Sequence, residues 1–421
     1  MTTWVLISLG SQAAHLWDNS GYRQRMSIDV AQLRADTPGC EEIIHLNNAG
    51  AALSPRSVTD AVTDHLRLES QLGGYEAAEA AGDKLMHTLS SIAQLLSVDA
   101  ADIALTHSDT SAWTKAFWGL ALAGWFSSGG TVLVDSGVYN SHYFALLQAQ
   151  QLFDLQIELM QLNEDGSLNL DDLDSRLNPS TKMVTATHVG THKGAVSDVA
   201  PIGARTRALG IPFFLDACQS AGQLPLNLTS IQCDVATGTG RKFLRGPRGT
   251  GWLFVREEWA ERMQPPGIDG SSATWTSLSS FELLPRAERF QEFEYPIAAQ
   301  IGLGVAVSYA LELGIEAIAN RISGLSAKLR TGLQEAGAKV HDGPGPQSGI
   351  VSFTVPNVDC DYLAGQLKLA GINLSVTRAA WTRLDMEERG LPAAVRASPH
   401  AYNTEAEIDY LVGQVASQEN R

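Results

Sequence analysis

The sequence predicts an α/β fold in which a mostly parallel β-sheet, covered by helices on both faces, is followed by a smaller α+β unit. Short β-branched and apolar runs alternate with helical patterns between residues 100 and 260. These runs are continuously apolar, which is typical of strands buried on both faces of a parallel sheet. Beyond a stretch rich in Gly, Ser and Pro at residues 265–280, long helical patterns come first and strand patterns follow.

The predicted sheet has helices in several of the gaps between its strands. The predicted strands are Ile103–Thr106, Thr131–Asp135, Lys182–Thr187, Ile211–Asp216, Cys233–Gly238 and Thr250–Val255. The predicted helices are Ser111–Ala123, Leu170–Leu177 and Val199–Leu209. Helices that connect successive strands in this way are typical of a parallel arrangement.

The C-terminal part of the chain has its own set of elements. The patterns predict helices at Ala298–Leu313 and Ile318–Ala336, strands at Gly349–Val355 and Ile372–Val376, and helices near Asp361–Ala370 and Glu405–Ser417. We therefore predict a large domain within residues 26–290 and a small domain at residues 291–421. Residues 1–25 carry no amphipathic period, whereas Ser27 can cap a helix. We accordingly predict a disordered extension, residues 1–25, before a native start at Met26.

Composition narrows the class of function. The 421 residues include 30 Lys and Arg against 46 Asp and Glu, a net charge of −16 that disfavours binding to nucleic acid or anionic membranes. No stretch approaches the roughly 20 apolar residues of a membrane helix. The four scattered cysteines, Cys40, Cys218, Cys233 and Cys360, lack a Cys-x-x-Cys pair, which argues against a disulfide framework or a zinc knuckle. We expect a cytoplasmic protein.

The most informative segment is TGTGRKFLRGPRGTG, residues 237–251. It places Lys242 directly after a predicted strand, in a loop made mostly of Gly, Arg, Thr and Pro. A lysine in a basic loop is usually a surface residue. Glycines, however, let the backbone approach a ligand closely, and a lysine held there can have its pKa lowered for Schiff-base chemistry. The segment therefore indicates a catalytic lysine.

Two other segments place polar residues where predicted strands end, which is where ligands bind in open α/β sheets. Asp216 ends an apolar run and Gln219 follows it, although a carboxylate there could also cap the next helix. Residues 106–112, THSDTSA, end one strand and open a helix. Backbone N–H groups and hydroxyls at such a position can hold a phosphate, but an ordinary helix cap has the same pattern.

Together, the lysine, the aspartate and the phosphate-binding pattern resemble those of the class V aminotransferase and cysteine desulfurase family of fold type I pyridoxal-phosphate enzymes. The resemblance runs from about His45 to the C terminus. It implies a mostly parallel, seven-stranded type of sheet, pyridoxal 5'-phosphate as the cofactor, and an amino acid as the substrate. It also implies a homodimer with active sites at the interface, and it assigns no metal ligand, nucleic acid or membrane.

The resemblance assigns roles to individual residues. Lys242, which binds the cofactor covalently, and Asp216, which pairs with the pyridine nitrogen, are the catalytic residues. The other cofactor-binding residues are Asp109, Thr110, Thr239 and Arg241 at the phosphate, Thr191 and Gln219 near the phenolic oxygen, and Asn140 at the ring-stacking position. The substrate is assigned to Asn48, in HLNNAG at residues 45–50, and to Arg396, in VRASPHAYNT at residues 395–404.

Two departures from the family pattern bear on the reaction. Asn140 cannot stack as an aromatic ring does, so Tyr139 is an alternative for that role. The loop Ser375–Arg383 contains no cysteine where desulfurases carry their nucleophile, and Cys360 lies too far upstream. We therefore expect no protein thiol to receive sulfur. Trp381 in this loop is either a pocket-wall or a core residue, and the core position is favoured because aromatic side chains bury large areas.

These features predict a pyridoxal-phosphate-dependent carbon–sulfur lyase. The expected reaction is β-elimination on an S-substituted cysteine or its sulfoxide, which releases a thiol-type product, pyruvate and ammonia. The same lysine and aspartate also serve decarboxylation coupled to oxidative deamination of a cysteine S-conjugate, transamination and epimerisation, so these remain alternatives. A non-enzymatic cofactor-binding module is disfavoured because Lys242 and Asp216 are both present.

Overall fold

The computed structural model describes residues 28–164, 166–343 and 345–419. The predicted extension and the predicted start at Met26 lie outside these residues. The helices are α1 (Val30–Ala35), α2 (Arg56–Leu72), α3 (Gly74–Ala80), α4 (Gly82–Leu96), α5 (Asp109–Leu122), α6 (Asn140–Leu152), α7 (Leu170–Arg176), α8 (Ala200–Leu209), α9 (Leu228–Ile231), α10 (Glu257–Ala260), α11 (Ile297–Leu313), α12 (Ile315–Glu335), α13 (Cys360–Leu369), α14 (Arg383–Glu388) and α15 (Glu405–Glu419).

The strands fall into one large sheet and several small ones. They are β1 (Ile44–His45), β2 (Ile103–Thr106), β3 (Gly130–Val134), β4 (Leu155–Leu159), β5 (Thr181–Thr187), β6 (Phe213–Asp216), β7 (Val235–Thr239), β8 (Gly251–Val255), β9 (Ala273–Ser277), β10 (Ser280–Leu283), β11 (Lys339–Val340), β12 (Val351–Thr354), β13 (Ile372–Asn373), β14 (Ser375–Arg378) and β15 (Ala393–Ala397). Short 3₁₀ helices lie at Pro38–Glu41, Ala100–Asp102, Arg286–Phe290 and Ala379–Trp381.

The large sheet has seven strands in the order β2-β8-β7-β6-β5-β3-β4. Only β8 runs antiparallel to its neighbours, β2 and β7, so the predicted mostly parallel sheet is confirmed. The sequence analysis missed β4, whose residues LQIEL alternate between polar and apolar. β4 pairs only with β3 at the sheet edge and is mostly half-exposed, which explains why it lacks a continuous apolar run.

Both faces of this sheet are buried, as the apolar runs predict. On β6, Phe213 and Leu215 belong to one hydrophobic cluster and Phe214 to another, because successive side chains of a strand point to opposite faces. Trp113 of α5 packs in the cluster with Phe214, and Leu303 of α11 packs in the other. The sheet therefore forms a rigid platform between two helical layers.

The C-terminal residues form a four-stranded antiparallel sheet in the order β11-β12-β15-β14. Its core contains apolar side chains of α12, α13 and α15, such as Leu329, Leu363 and Leu411. The N-terminal β1 pairs with β13, and Leu46 is fully buried in the same core. The domain boundary near residue 290 stays a prediction.

Helix α11 connects the two parts of the chain and packs against α2 and α4. The sequence patterns did not predict α2 or α4. Among the described residues, no single helix is long and apolar enough to cross a membrane. The pair α11 and α12, bent by 80° at their junction, meets the length and composition only when the two helices are taken together.

Candidate active site

A cavity of about 160 Å³ opens at the C-terminal ends of β5, β6 and β7, beside the N-terminus of α5. The predicted site residues that line it are Asp109, Thr110, Thr191, Asp216, Gln219, Thr239, Arg241, Lys242 and Arg396. Strand ends bring these residues together because parallel strands present their carboxyl ends at one edge of the sheet. Asn48 and Asn140 are not among the lining residues, whereas Tyr139 and Trp381 are.

Lys242 lies in a tight loop that follows β7. Its Nζ is 3.1 Å from the Sγ of Cys218. A close backbone approach holds this loop in place: Gly222 has φ of +91°, and a Cβ at that position would lie 2.5 Å from the carbonyl carbon of Phe243. Only glycine suits both the conformation and the contact. The neighbouring turn therefore fixes the chain directly after the lysine.

Cys218 places a thiol inside the cavity. The expectation that no protein thiol receives sulfur stays a prediction; it rested on the loop Ser375–Arg383 and on Cys360 and did not include Cys218. Burial, together with the negative charge of Asp109, raises the pKa of the Cys218 thiol to about 12. A thiol with this pKa is almost entirely protonated at neutral pH and is a weak nucleophile.

Asp216 ends β6 and is 5% exposed. Its Oδ1 accepts a hydrogen bond of 2.8 Å from the backbone N–H of Cys218, and its Oδ2 lies 3.7 Å from Nδ1 of His142. Burial and the negative charge of Asp109 raise the pKa of Asp216 to about 6. The carboxylate thus keeps one oxygen free of hydrogen bonds from the described residues.

His142 on α6 is a site residue that the sequence analysis missed. Its Nε2 is 2.9 Å from Oδ2 of Asp109, whose Oδ1 accepts a hydrogen bond of 2.6 Å from the Thr237 hydroxyl. Burial opposes the charged form of both partners, yet Asp109 raises the pKa of His142 and His142 lowers the pKa of Asp109. The sequence could have indicated His142, because it lies about one helical turn after Tyr139, which was considered for the ring-stacking role.

Arg396 is 5% exposed and meets oxygen atoms of uncharged groups. It donates to the carbonyl and the hydroxyl oxygen of Thr191, at 2.9 and 2.8 Å, and to Oδ1 of Asn47 at 3.4 Å. Its Nε has no hydrogen-bond partner among the described residues, and burial lowers its pKa to about 10. A buried guanidinium without a carboxylate partner is suited to an anionic ligand.

The hydroxyl of Thr191 is also poised for a ligand. Its oxygen accepts hydrogen bonds from Arg396, at 2.8 Å, and from Nε2 of Gln219, at 2.9 Å. A hydroxyl has two acceptor sites and one donor hydrogen, so its hydrogen is left for a further acceptor. In addition, Oε1 of Gln219 is buried and has no hydrogen-bond partner among the described residues.

The N-terminus of α5 and a basic side chain form the anion-binding end of the cavity. Ser108 caps α5 by accepting the N–H of Ser111, and the Thr110 hydroxyl donates to Ser141 at 3.0 Å. The Arg241 guanidinium donates to the carbonyl of Gly50 rather than to a carboxylate. Free backbone N–H groups at a helix start, together with this charge, favour a phosphate.

Two predicted residues occupy other positions. Asn48 is buried, donates to the carbonyl of Ser398 at 2.7 Å and accepts a hydrogen bond from the Tyr402 hydroxyl. Asn140 begins α6 and donates to the carbonyl of Ala380 at 3.5 Å. Their predicted contacts with substrate and cofactor therefore stay predictions. The expectation that Trp381 is a core residue is wrong, because it is half-exposed and lines the cavity.

One group of possible metal ligands occurs among the described residues: oxygen and sulfur atoms of Asp109, Asp216 and Cys218 lie within 4.8 Å of one another. Asp109 is already engaged by His142 and Thr237, and the Cys218 thiol is protonated at neutral pH. Metal binding requires the deprotonated thiolate. These groups therefore suit an organic cofactor better than a metal ion.

The family model for aminotransferase class-V matches residues 44–411. The chain belongs to this family. A probable cysteine desulfurase from Pyrococcus abyssi is 24% identical over 389 residues, covering 90% of this chain and 95% of that protein. The apo structure of the cysteine desulfurase from Thermococcus onnurineus NA1 is similar in fold, with a TM-score of 0.84 and 25% identity over 93% of this chain and 97% of that one.

Structures of the cystine C–S lyase C-DES have the same fold. Its complex with cysteine persulfide has a TM-score of 0.79 and 22% identity, covering 90% of this chain and 99% of that chain. A C-DES mutant with glycine covalently linked to the pyridoxal-phosphate cofactor has a TM-score of 0.81 and 22% identity, with 91% and 98% covered. The chain is thus a fold type I, pyridoxal-phosphate-dependent enzyme of the class V family.

The polar groups of the cavity fit this cofactor. Asp216 has a free carboxylate oxygen, Lys242 contacts a thiol instead of a carboxylate, and the start of α5 offers unpaired N–H groups. The Thr191 hydroxyl retains a hydrogen for an acceptor. Each of these groups needs a partner that the described residues do not supply.

Proposed function

We propose that this enzyme is a carbon–sulfur lyase that catalyses β-elimination on an S-substituted cysteine or its sulfoxide. The observation that carries the proposal is the position of Trp381. This indole lines the cavity from the loop in which the resemblance to desulfurases calls for a nucleophilic cysteine. The thiol that does line the cavity, Cys218, is buried and protonated at neutral pH. The sulfur fragment therefore leaves as a free product.

The roles of the residues follow from their positions. Asp216 would hold the ring nitrogen of the cofactor through its free oxygen, and the start of α5 with Arg241 would hold the phosphate. Thr191 would donate its hydroxyl hydrogen to the phenolic oxygen. When bound, pyridoxal phosphate supplies an electron sink that stabilises negative charge at the substrate Cα.

Two residues would act on the substrate. Arg396 would bind the α-carboxylate, since its buried guanidinium has no carboxylate partner among the described residues, and would fix the orientation of the substrate. Lys242 would accept the proton from Cα of the bound substrate. Loss of that proton and departure of the sulfur substituent from Cβ give an enamine that hydrolyses to pyruvate and ammonia.

Product analysis tests the proposal. Purified enzyme is incubated with cysteine, cystine, S-alkyl and S-aryl cysteines and their sulfoxides, and products are identified by mass spectrometry. We expect pyruvate, ammonia and a free thiol-type product in equal amounts. Alanine with a protein-bound persulfide would instead show a desulfurase. The variant Cys218→Ala is the matched control, because it should retain pyruvate formation but would abolish alanine formation if Cys218 were the sulfur acceptor.

The same experiment separates the alternative reactions. Release of CO2 with retention of the sulfur substituent would indicate decarboxylation coupled to oxidative deamination. A keto acid that keeps its sulfur would indicate transamination, and inversion at Cα without a new product would indicate epimerisation. Absence of any amino-acid-dependent change in the cofactor's absorbance would indicate a non-enzymatic module.

We also propose that the enzyme is a homodimer, as its resemblance to the family implies. Tyr75 and Phe293 contact each other with ring centroids 6.2 Å apart, yet they are 70% and 54% exposed. Leu72 and Met86, on α2 and α4, are also exposed apolar side chains. Sedimentation analysis of the wild type and of a Tyr75→Glu variant tests this, with a dimer expected only for the former. A cytoplasmic location, supported by four unpaired cysteines, stays a proposal.

A further inference from the structure

His142 lies between two buried carboxylates that come from different elements. Its Nε2 is 2.9 Å from Asp109 of α5, and its Nδ1 is 3.7 Å from Asp216 of β6. The ring stacks on Trp113, with centroids 4.7 Å apart and planes at 9°. The imidazole is fully buried, and Nδ1 has no hydrogen-bond partner among the described residues. Each ring nitrogen therefore faces a carboxylate.

The distances make the two carboxylates unequal. Asp109 is within hydrogen-bond distance of His142 and also accepts from the Thr237 hydroxyl, whereas Asp216 is only within ion-pair distance of the ring. The other ionisable groups that face this cluster are Lys242, the Cys218 thiol and Asp135, whose pKa is raised by burial and by the charge of Asp216. The Lys242 charge opposes that of an imidazolium. A protonated imidazole between two carboxylates satisfies the nearer one and leaves a negative charge on the farther one.

We propose that His142 and Asp109 form a permanent buried ion pair, and that this pair keeps Asp216 available, as an anion, for the ring nitrogen of the cofactor. His142 is thus a positioning residue that acts through Asp216. The inference rests on the proposed role of Asp216. It assigns the Asp109 carboxylate to His142 and leaves the backbone N–H groups at the start of α5 for the phosphate.

The proposal explains why a carboxylate can stand at the entrance of an anion site. An unpaired Asp109 carboxylate would repel a phosphate, but the imidazolium neutralises it. Removing His142 would leave two facing carboxylates, so Asp216 would take up a proton and lose its attraction for a protonated ring nitrogen. Removing the charge of Asp109 would instead let the imidazolium pair with Asp216. Both changes weaken the same contact.

The charge state of His142 can be measured in the full-length protein without the cofactor. Histidine labelled with ¹³C at Cε1 is titrated by NMR, and the His142 signal is identified by its loss in His142→Gln. We expect His142 to stay protonated above the ordinary histidine pKa of about 6.5 and to titrate about one pH unit lower in Asp109→Asn. Thr237→Val is the matched control, since it removes a hydrogen bond from Asp109 but no charge.

A neutral His142 at pH 6 in the wild type would overturn the proposal. The wild-type titration curve does not depend on whether the Asp109 variant folds. An equal shift in Thr237→Val and Asp109→Asn would also overturn it, because a loss of packing alone would then account for both.

The second measurement uses pyridoxal phosphate labelled with ¹⁵N in the ring. We expect the bound ring nitrogen to be protonated in the wild type and to move toward the unprotonated shift in His142→Gln and Asp109→Asn, with about tenfold weaker cofactor binding. Ring protonation that is unchanged in both variants would overturn this inference while leaving the proposed function intact. Failure of the cofactor to bind at Lys242 would overturn the proposed function, and the histidine titration would still decide whether the ion pair exists.

Discussion

Asp216 and Asp385 are both buried carboxylates that face a buried histidine, with exposures of 5% and 6%, but their surroundings differ in charge. At the cavity, His142 serves two carboxylates, Asp109 and Asp216. At the second cluster, Asp385 alone accepts hydrogen bonds from several donors, beginning with His192 at 2.7 Å. The first cluster therefore has one histidine between two carboxylates, whereas in the second cluster one carboxylate has a histidine, a lysine and an arginine as partners.

The second cluster is complete without a ligand. Besides His192, Asp385 accepts hydrogen bonds from Lys193 at 2.7 Å and from Arg389 at 2.8 Å. Burial alone would raise the pKa of Asp385, but its hydrogen bonds and the charges of these partners hold it well below its usual range. Burial and the two neighbouring cations lower the pKa of His192.

The two clusters show that a buried aspartate beside a histidine can serve two purposes. Asp385 lies on α14 and accepts hydrogen bonds from His192 and Lys193, which follow Thr191 in the chain. Its carboxylate is therefore fully paired and holds α14 against the loop that forms the cavity wall. Burial, and after it the negative charge of Asp109, raises the pKa of Asp216 to about 6. A buried group left in this state is typical of a functional site.

The largest effect is expected when the lysine of the cavity cluster is replaced and compared with the lysine of the second cluster. Lys242→Ala should abolish covalent cofactor binding and lower kcat at least about 10³-fold, because both the proposed attachment point and the proposed base are lost. Lys193→Ala, its matched control, removes a lysine beside Asp385 and should keep kcat within about tenfold of the wild type. Borohydride reduction followed by peptide mapping measures the attachment. A pyridoxyl group found elsewhere than on Lys242 would contradict the prediction.

The two aspartates should separate activity from stability. Asp216→Asn should lower kcat about 10²-fold or more, because it removes the charge proposed to pair with the ring nitrogen of the cofactor. Asp385→Asn should instead lower the free energy of unfolding by about 3 kcal/mol, since Lys193 and Arg389 lose their buried partner. Steady-state kinetics and urea denaturation measure the two effects. The comparison fails if Asp385→Asn has the larger effect on kcat at saturating substrate.

The pH dependence of stability should differ in sign between the clusters. In the cofactor-free protein the pKa of Asp216 is raised to about 6 from an ordinary value near 3.9. Its contribution to stability is therefore fully present below about pH 4 and lost as the pH rises through about 6. Asp385 has a lowered pKa, so its contribution is present above about pH 4 and lost only in stronger acid.

Urea titrations at pH 4 to 8 test these signs. Asp216→Asn should reduce the loss of stability between pH 4 and 6, to which Asp234 and Asp135, with pKa values raised to about 6 and about 7, also contribute. Asp385→Asn should leave that loss unchanged. A wild-type stability that rises through this window, and rises equally in Asp216→Asn, would show that other groups dominate it.

The smallest effect is expected at the cavity wall. Trp381→Ala should raise KM for substrates with a large S-substituent up to about tenfold and leave kcat within about twofold, because an indole that lines the cavity would contact the substituent without taking part in proton transfer. Trp381→Phe should restore most of the affinity. Equal losses for cysteine and for S-aryl cysteine would show that Trp381 supports the fold instead of contacting the substituent.

Much of the fold and of the site could be predicted because the signals are local. Apolar runs with helical patterns between them indicated six of the seven strands of the large sheet. Asp216 ends one of these strands, and Lys242 lies in the loop after another. The missed strand, Leu155–Leu159, lies at the sheet edge and has an alternating pattern. Local pattern could also not show that Trp381 lines the cavity, since its surroundings come from distant segments.

The sequence by itself determined the α/β architecture, the lysine loop and the aspartate at the strand end, because strand burial and glycine-rich turns leave their mark within a few neighbouring residues. Only the tertiary structure decided which charges balance. His142 meets Asp109 across 33 residues of chain, and His192 meets Asp385 across 193. Electrostatic energy depends on distance and burial in space, which no spacing along the chain records.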